Sequence, residues 1–315
     1  MRIQNQFPQF NDKIYVTDGG LETTLIFHEG YELPYFAAFD LLKNASGIDV
    51  LRNYYRKFIN IAKQHNVGFI LESATWRASQ DWGNKMGYNT KELDKMNKLA
   101  ISLLQEIREE NQQTCSDIII SGCVGPKGDG YVADELMAVD EAKLYHQAQI
   151  NSFAQAGVDV ISAVTMTNIQ EATGICLAAK KANLPVVISF TVETDGHLPT
   201  GQTLKSAITQ LDESISTRPE YYMINCAHPT HFSNVLNENG NWLERIKGVR
   251  ANASCKSHAE LDECEKLDDG NPEELGEMYQ QLKRQLPNLL VLGGCCGTDH
   301  RHVENIVLGC KTHNQ

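Results

Sequence analysis

The chain has 315 residues, a formal net charge of −12, 42% hydrophobic residues and 22% charged ones. This is the balance of an ordinary globular protein with a substantial core, long enough for one large α/β barrel or two ordinary domains. The acidic excess leaves no clustered basic footprint for nucleic acid or an anionic membrane, and no run approaches the roughly 18 apolar residues of a membrane span. The opening Met1-Arg2-Ile3-Gln4 has no apolar secretion core, so a cytoplasmic protein with reduced thiols is expected.

Short β-branched runs alternate with helical segments from end to end. Residues 13–18 (KIYVTD) read as a first strand and lead into Asp18-Gly19-Gly20. The next helical stretch, 50–65, places Leu51, Tyr54, Tyr55, Phe58 and Ile61 on one face at three- and four-residue spacing. Residues 66–72 (NVGFILE) and 117–123 (DIIISGC) are the second and third strands, separated by a helix over 93–111. A helix over 140–156 precedes the fourth strand, 158–165 (VDVISAVT), and a helix over 169–183 precedes the fifth, 184–191 (LPVVISFT). Residues 221–226 (YYMINC), 248–253 (GVRANA, the weakest) and 289–294 (LLVLGG) complete the set, with a helix over 272–286 started by Asn271 as cap and Pro272 in the first turn.

Eight such strands in alternation predict a single (β/α)8 TIM barrel spanning 1–315. A doubly wound sheet is the rival, but the first strand runs into Asp-Gly-Gly where that fold would carry a GxGxxG phosphate loop. Long loops at 81–90, 124–134 and 255–270 are expected to shape the site.

Nine cysteines are present. Cys115, Cys123, Cys176, Cys255, Cys264 and Cys310 read as core or surface thiols. The adjacent pair Cys295-Cys296 is different. It sits among Gly293, Gly294 and Gly297, which supply the backbone freedom for a bend that turns both thiols to one side. Cys226 ends the sixth strand, and Cys295 and Cys296 end the eighth. In a closed barrel these strand ends share one face, where catalytic groups gather. Three sulfurs with one open position are the pattern of a catalytic zinc site.

Five stretches carry a family resemblance: Asp18-Gly19-Gly20-Leu21-Glu22-Thr23-Thr24-Leu25, Ser121-Gly122-Cys123-Val124-Gly125-Pro126, Ile188-Ser189-Phe190-Thr191, Ile224-Asn225-Cys226-Ala227 and Gly293-Gly294-Cys295-Cys296-Gly297-Thr298. Together they resemble the homocysteine S-methyltransferases, zinc-dependent enzymes on a (β/α)8 barrel. The resemblance implies Zn2+ held by Cys226, Cys295 and Cys296 as the catalytic centre, a small-molecule thiol and a methyl donor as partners, and methionine as product. A sulfonium donor, S-methylmethionine or S-adenosylmethionine, is the expected one. It also implies a substrate-binding role for Asp18, with Gly19 and Gly20 offering N–H groups to the substrate's carboxylate. Asn225 is expected to orient the loop around Cys226.

The chain departs from the family at Val164-Thr165, where a Glu-Thr pair is usual and the glutamate holds the substrate's amino group. Glu171 and Glu72 are the candidate substitutes. The segment 252–262 after the seventh strand also departs from the commoner Pro-Asn pattern. His228 and His300, close in sequence to the sulfurs, are weighed as a fourth ligand or donor contact against plain loop histidines. Trp76 and Trp82 are weighed as a platform for a cationic donor against loop packing. The competing function classes are a non-catalytic zinc- or thiol-binding homologue and a Schiff-base or phosphate-binding barrel with incidental cysteines.

Overall fold

The structure, a computed structural model, describes residues 13–311 apart from 116, 134–135, 239 and 265. Eight parallel strands close a barrel in sequence order: β1 (Tyr15–Val16), β2 (Gly68–Glu72), β3 (Ile118–Val124), β4 (Val160–Met166), β5 (Val186–Phe190), β6 (Tyr222–Asn225), β7 (Ile246–Ala251) and β8 (Val291–Gly294). β1 pairs with β2 on one side and β8 on the other, which closes the ring. The eight strands and the single (β/α)8 barrel expected from sequence are those observed.

The strands read as nearly unbroken apolar runs because both faces are covered. Their period of two still separates two cores. Outward residues such as Phe69, Leu71, Ile118 and Ile120 join the large core under the helices. Inward residues, among them Tyr15, Ile70, Ile119, Val160, Val187, Met223 and Val291, fill the barrel lumen. Two residues further along β2, β6 and β7, the same inward parity carries Glu72, Asn225 and Arg250, all buried. The lumen therefore changes from apolar to charged as it approaches the C-terminal ends of the strands.

The helix over Ala45–Gln64 is capped by Asn44, whose side chain accepts from the Gly47 N–H. Asn271 caps Pro272–Gln285 as the sequence predicts, accepting from the N–H groups of Glu273 and Glu274. From that helix the buried Tyr279 hydroxyl accepts from Ala251 N–H at 2.9 Å and donates to the Gly293 carbonyl at 2.5 Å, pinning β7 to β8 just below the site. Two helices beyond the sequence reading, Leu204–Ser214 and His300–Lys311, complete the outer layer. Among the described residues no helix is long and apolar enough to cross a membrane.

Candidate metal centre and active site

At the C-terminal mouth the side chains of Cys226, Cys295 and Cys296 converge, with their sulfurs within 4.8 Å of one another. β8 stops at Gly294, so the vicinal pair lies in a turn, and the alternation of a strand no longer separates its side chains. The turn is closed by Thr298, whose N–H and hydroxyl both donate to the Cys295 carbonyl, at 3.1 and 2.7 Å. Gly297 supplies the left-handed step, at φ +79°. Gly294 serves close approach instead: a Cβ there would overlap Thr298.

Cys226 is aimed by strain. Both Cys226 and Thr165 adopt positive φ, 53° and 62°, and for a β-branched threonine this is a true outlier. Asn225 holds the pair in place. Its Oδ1 accepts from Thr165 N–H at 2.9 Å and from the Ser189 hydroxyl at 2.6 Å, while its Nδ2 donates to Thr165 Oγ1 at 2.9 Å. The same Nδ2 lies 4.0 Å from Cys295 Sγ, and Thr165 Oγ1 lies 3.9 Å from Cys226 Sγ. Tyr131 OH is 3.3 Å from Cys296 Sγ. The Tyr131 ring stacks on His258, whose Nε2 is 2.6 Å from the Cys226 carbonyl.

The sulfurs fit a metal by donor type and by their convergence on one point. A tetrahedral zinc with ~2.3 Å bonds to sulfur would set its sulfurs about 3.8 Å apart, a separation the three side chains would reach with Cys226 and Cys295 reduced. Cys226 and Cys295 are joined in the structure as a disulfide, and Cys296 is not part of that bond. The expectation that every thiol is reduced therefore differs from the structure at this pair. Sulfurs that converge closely enough to share an ion also converge closely enough to bond to each other.

Beside the sulfurs opens a cavity of about 340 Å³, into which Asp18, Glu22, Glu72, Trp76, Val164 and Arg250 project among others. Its charged floor is a buried triad. The Arg250 guanidinium donates to Asp18 Oδ1 at 2.6 Å, forms an ion pair with Glu72, and donates from Nε to the Gly294 carbonyl at 3.2 Å. Tyr54 OH adds a donor to Asp18 at 3.2 Å, and the Ser121 hydroxyl one to Glu72 at 3.1 Å.

The family model described as homocysteine S-methyltransferase matches residues 15–308. The chain belongs to the homocysteine S-methyltransferase family. It is 22% identical over 304 residues to homocysteine S-methyltransferase 1 of Arabidopsis thaliana, covering 90% of this chain and 89% of that protein. It is likewise 22% identical over 310 residues to a selenocysteine Se-methyltransferase of Brassica oleracea var. italica, covering 90% and 85%. The fold resembles the homocysteine methyltransferase MmuM of Escherichia coli. The oxidized form of that protein superposes with a TM-score of 0.75 at 18% identity (96% of this chain, 97% of that one). Its metallated form gives 0.71 at 17% (95% and 97%). This protein is thus a methyltransferase of that family.

Within this family member, several sequence expectations are redirected. Gly20 N–H is not available to a substrate carboxylate, because it donates to the Thr298 carbonyl at 2.9 Å. Gly19 and Gly20 are packed so closely against Thr298 and the Cys295 carbonyl that a Cβ on either would collide, which ties the β1 turn to the cysteine turn. Asn225 lines the cavity, with its amide engaged by Thr165 and Ser189. Glu171 is no substitute for the missing glutamate: it is buried against His146 at 2.9 Å and Lys127 N–H at 2.8 Å, away from the cavity. Glu72 lines the cavity but is held by Arg250.

His228 caps the turn Pro229–Phe232, and burial and the neighbouring His231 lower its pKa to about 4. His300 opens the last helix, exposed. Neither histidine joins the sulfur group. Trp76 and Trp82 carry the chain's own cation: Arg77 lies between them, 4.1 and 3.7 Å from the ring centroids. Cys123 also faces the cavity, but burial first, with Glu22 and Asp18 adding, pushes its thiol far up, so it stays protonated.

Burial pushes the Asp18 carboxyl up, with the Arg250 charge and the Tyr54 hydroxyl acting against it. Glu22 is raised to about 7, chiefly by burial, with Asp18 adding and Arg250 and Arg77 opposing. Arg250 and Glu22 are the site residues that sequence reading does not single out. The one signal for Arg250 is a cation at the inward parity of a barrel strand, where the neighbouring strands carry apolar residues.

Proposed function

We propose that the protein is a zinc-dependent S-methyltransferase. It moves a methyl group from a sulfonium donor, S-methylmethionine or S-adenosylmethionine, to the thiol of homocysteine, forming methionine. The observation that carries the reading is the convergence of Cys226, Cys295 and Cys296 at the mouth of the barrel, beside a cavity of about 340 Å³. With Cys226 and Cys295 reduced, the three sulfurs would hold the ion and leave one position for a substrate. Zinc bound there supplies a Lewis acid that keeps a neighbouring substrate thiol deprotonated near neutral pH.

The chain's own residues do the rest. Asn225, Thr165 and Tyr131 fix the sulfurs, and the cavity aligns the acceptor sulfur with the methyl carbon, where most of the rate gain of such a displacement lies. A new sulfur–carbon bond forms at the acceptor. The donor's S–CH3 bond breaks, and its electron pair stays on the donor sulfur, which leaves as a neutral thioether.

The test is methyl transfer by reduced, zinc-loaded protein to homocysteine, comparing S-methylmethionine, S-adenosylmethionine and betaine. Activity with a sulfonium donor is expected, and Cys226→Ser should lose both zinc and at least 100-fold in rate. Full zinc content and full activity in that variant would falsify the ligand assignment. A second acceptor class is favoured by Arg250, which already occupies both Asp18 and Glu72. Selenocysteine, the substrate named for the Brassica relative, and thiols lacking an amino group belong in the same assay.

A further inference from the structure

Five carboxylates line the cavity, those of Asp18, Glu22, Glu72, Asp129 and Asp268, against the cations of Arg77, Arg250 and Lys266, a formal balance of −2. Four of the five are engaged by the protein. Asp18 and Glu72 share Arg250. Asp129 accepts from Tyr131 N–H at 2.7 Å. Asp268 accepts from the Ser254 hydroxyl at 2.8 Å and pairs with Lys256. Among the described residues Glu22 is the exception: the one hydrogen bond on its carboxyl comes from its own backbone N–H. It is held in this position by the turn that packs Gly20 against the Cys295 carbonyl, so it belongs to the wall next to the sulfurs.

The half-buried Glu22 carboxylate has no ion pair of its own among the described residues, and Arg250 and Arg77 act on it only through their field; a cation arriving with a ligand would complete it with a charge-assisted contact. We propose that Glu22 is a specificity-determining residue that receives the positive charge of a substrate, an aliphatic ammonium or sulfonium group, in this cavity. The proposal rests on the methyl-transfer reading for the identity of the substrates, and the charge then comes either from an amino-acid acceptor, as its α-ammonium, or from the donor, which carries an α-ammonium and a sulfonium. Arg250 cannot serve the same purpose, being a cation itself. Its pairing with Asp18 and Glu72 leaves Glu22 as the wall's remaining negative charge near the sulfurs.

Calorimetric binding to reduced, zinc-loaded wild type and Glu22→Gln separates the cases, using homocysteine, 4-mercaptobutyrate (the same thiol without the amino group) and S-methylmethionine. Loss of one charge-assisted hydrogen bond is worth about 10- to 100-fold in affinity. If Glu22 takes the acceptor's ammonium, homocysteine binding weakens by that factor and 4-mercaptobutyrate binding does not. If it takes a charge of the donor, its α-ammonium or its sulfonium, S-methylmethionine binding weakens and homocysteine binding does not. Glu22→Asp, which keeps the charge but withdraws it by one methylene, should fall in between. All three affinities within twofold of wild type in Glu22→Gln would overturn the role of Glu22 and leave the methyl-transfer reading standing. Wild-type protein that binds none of the three overturns both.

Discussion

Burial holds the Glu22 carboxyl at about 7, against an ordinary 4.5. The folded protein therefore keeps a proton there that the unfolded chain releases. Stability is present below pH 4.5, falls as pH rises toward 7, and stays lost above it. That window corresponds to about 1–3 kcal/mol. Glu22→Gln is accordingly expected to be more stable than wild type at pH 8 and equal to it at pH 4, by urea denaturation at the two pH values. A variant less stable at pH 8 would mean that the charged carboxylate is structurally supported after all. In binding, the same titration, in the field of Asp18, Arg77 and Arg250, should weaken uptake of a cationic substrate as pH falls below 7, and Glu22→Gln should lack that limb. The three sulfurs are legible in the sequence because cysteine at a strand end next to glycines is chemically conspicuous. Glu22 is not, since an unpaired carboxylate is defined by the partners it lacks, and those are set by the tertiary fold.

The ends of β4 and β6 act as one unit. Thr165 and Cys226 each hold a left-handed backbone step, a cost of about 1–3 kcal/mol apiece that neighbouring structure must offset, and the Asn225 amide is the shared fastening. Asn225→Ala should leave Thr165 N–H and the Ser189 hydroxyl without their partner. It is expected to destabilise the protein by about 2–4 kcal/mol, measured by urea denaturation. On the proposed function it should also weaken zinc retention against a competing chelator by roughly ten-fold. Unchanged zinc retention would confine Asn225 to a purely structural role. At this scale the sequence was a good guide. Short β-branched runs located all eight strands, and Asn271-Pro272 marked a helix start, because both are local effects. The seventh strand read as weakest for a physical reason. Arg250 interrupts its apolar run, and the compensation lies on β1 and β2, far away in sequence.

For the whole barrel, Arg250 is a clamp across the seam. It reaches from β7 to Asp18 after β1, to Glu72 on β2 and to the Gly294 carbonyl on β8. Arg250→Met should strand two buried carboxylates and cost about 3–5 kcal/mol, seen as a lower urea midpoint with an unchanged slope. A loss under 1 kcal/mol would show that the carboxylates simply take up protons. The clamp and the sulfur group close the same gap, and that bears on biogenesis. Cys226 and Cys295 are separated by 69 residues, and the second and third sulfurs follow the last strand of the ring. A growing polypeptide possesses one sulfur of the three until β8 has been made and has docked against β1. On the proposed function, metal uptake is then a maturation step of the finished barrel. Once β8 has docked, Cys226 and Cys295 can either share the ion or be joined to each other as they are in this structure, and the two outcomes exclude one another.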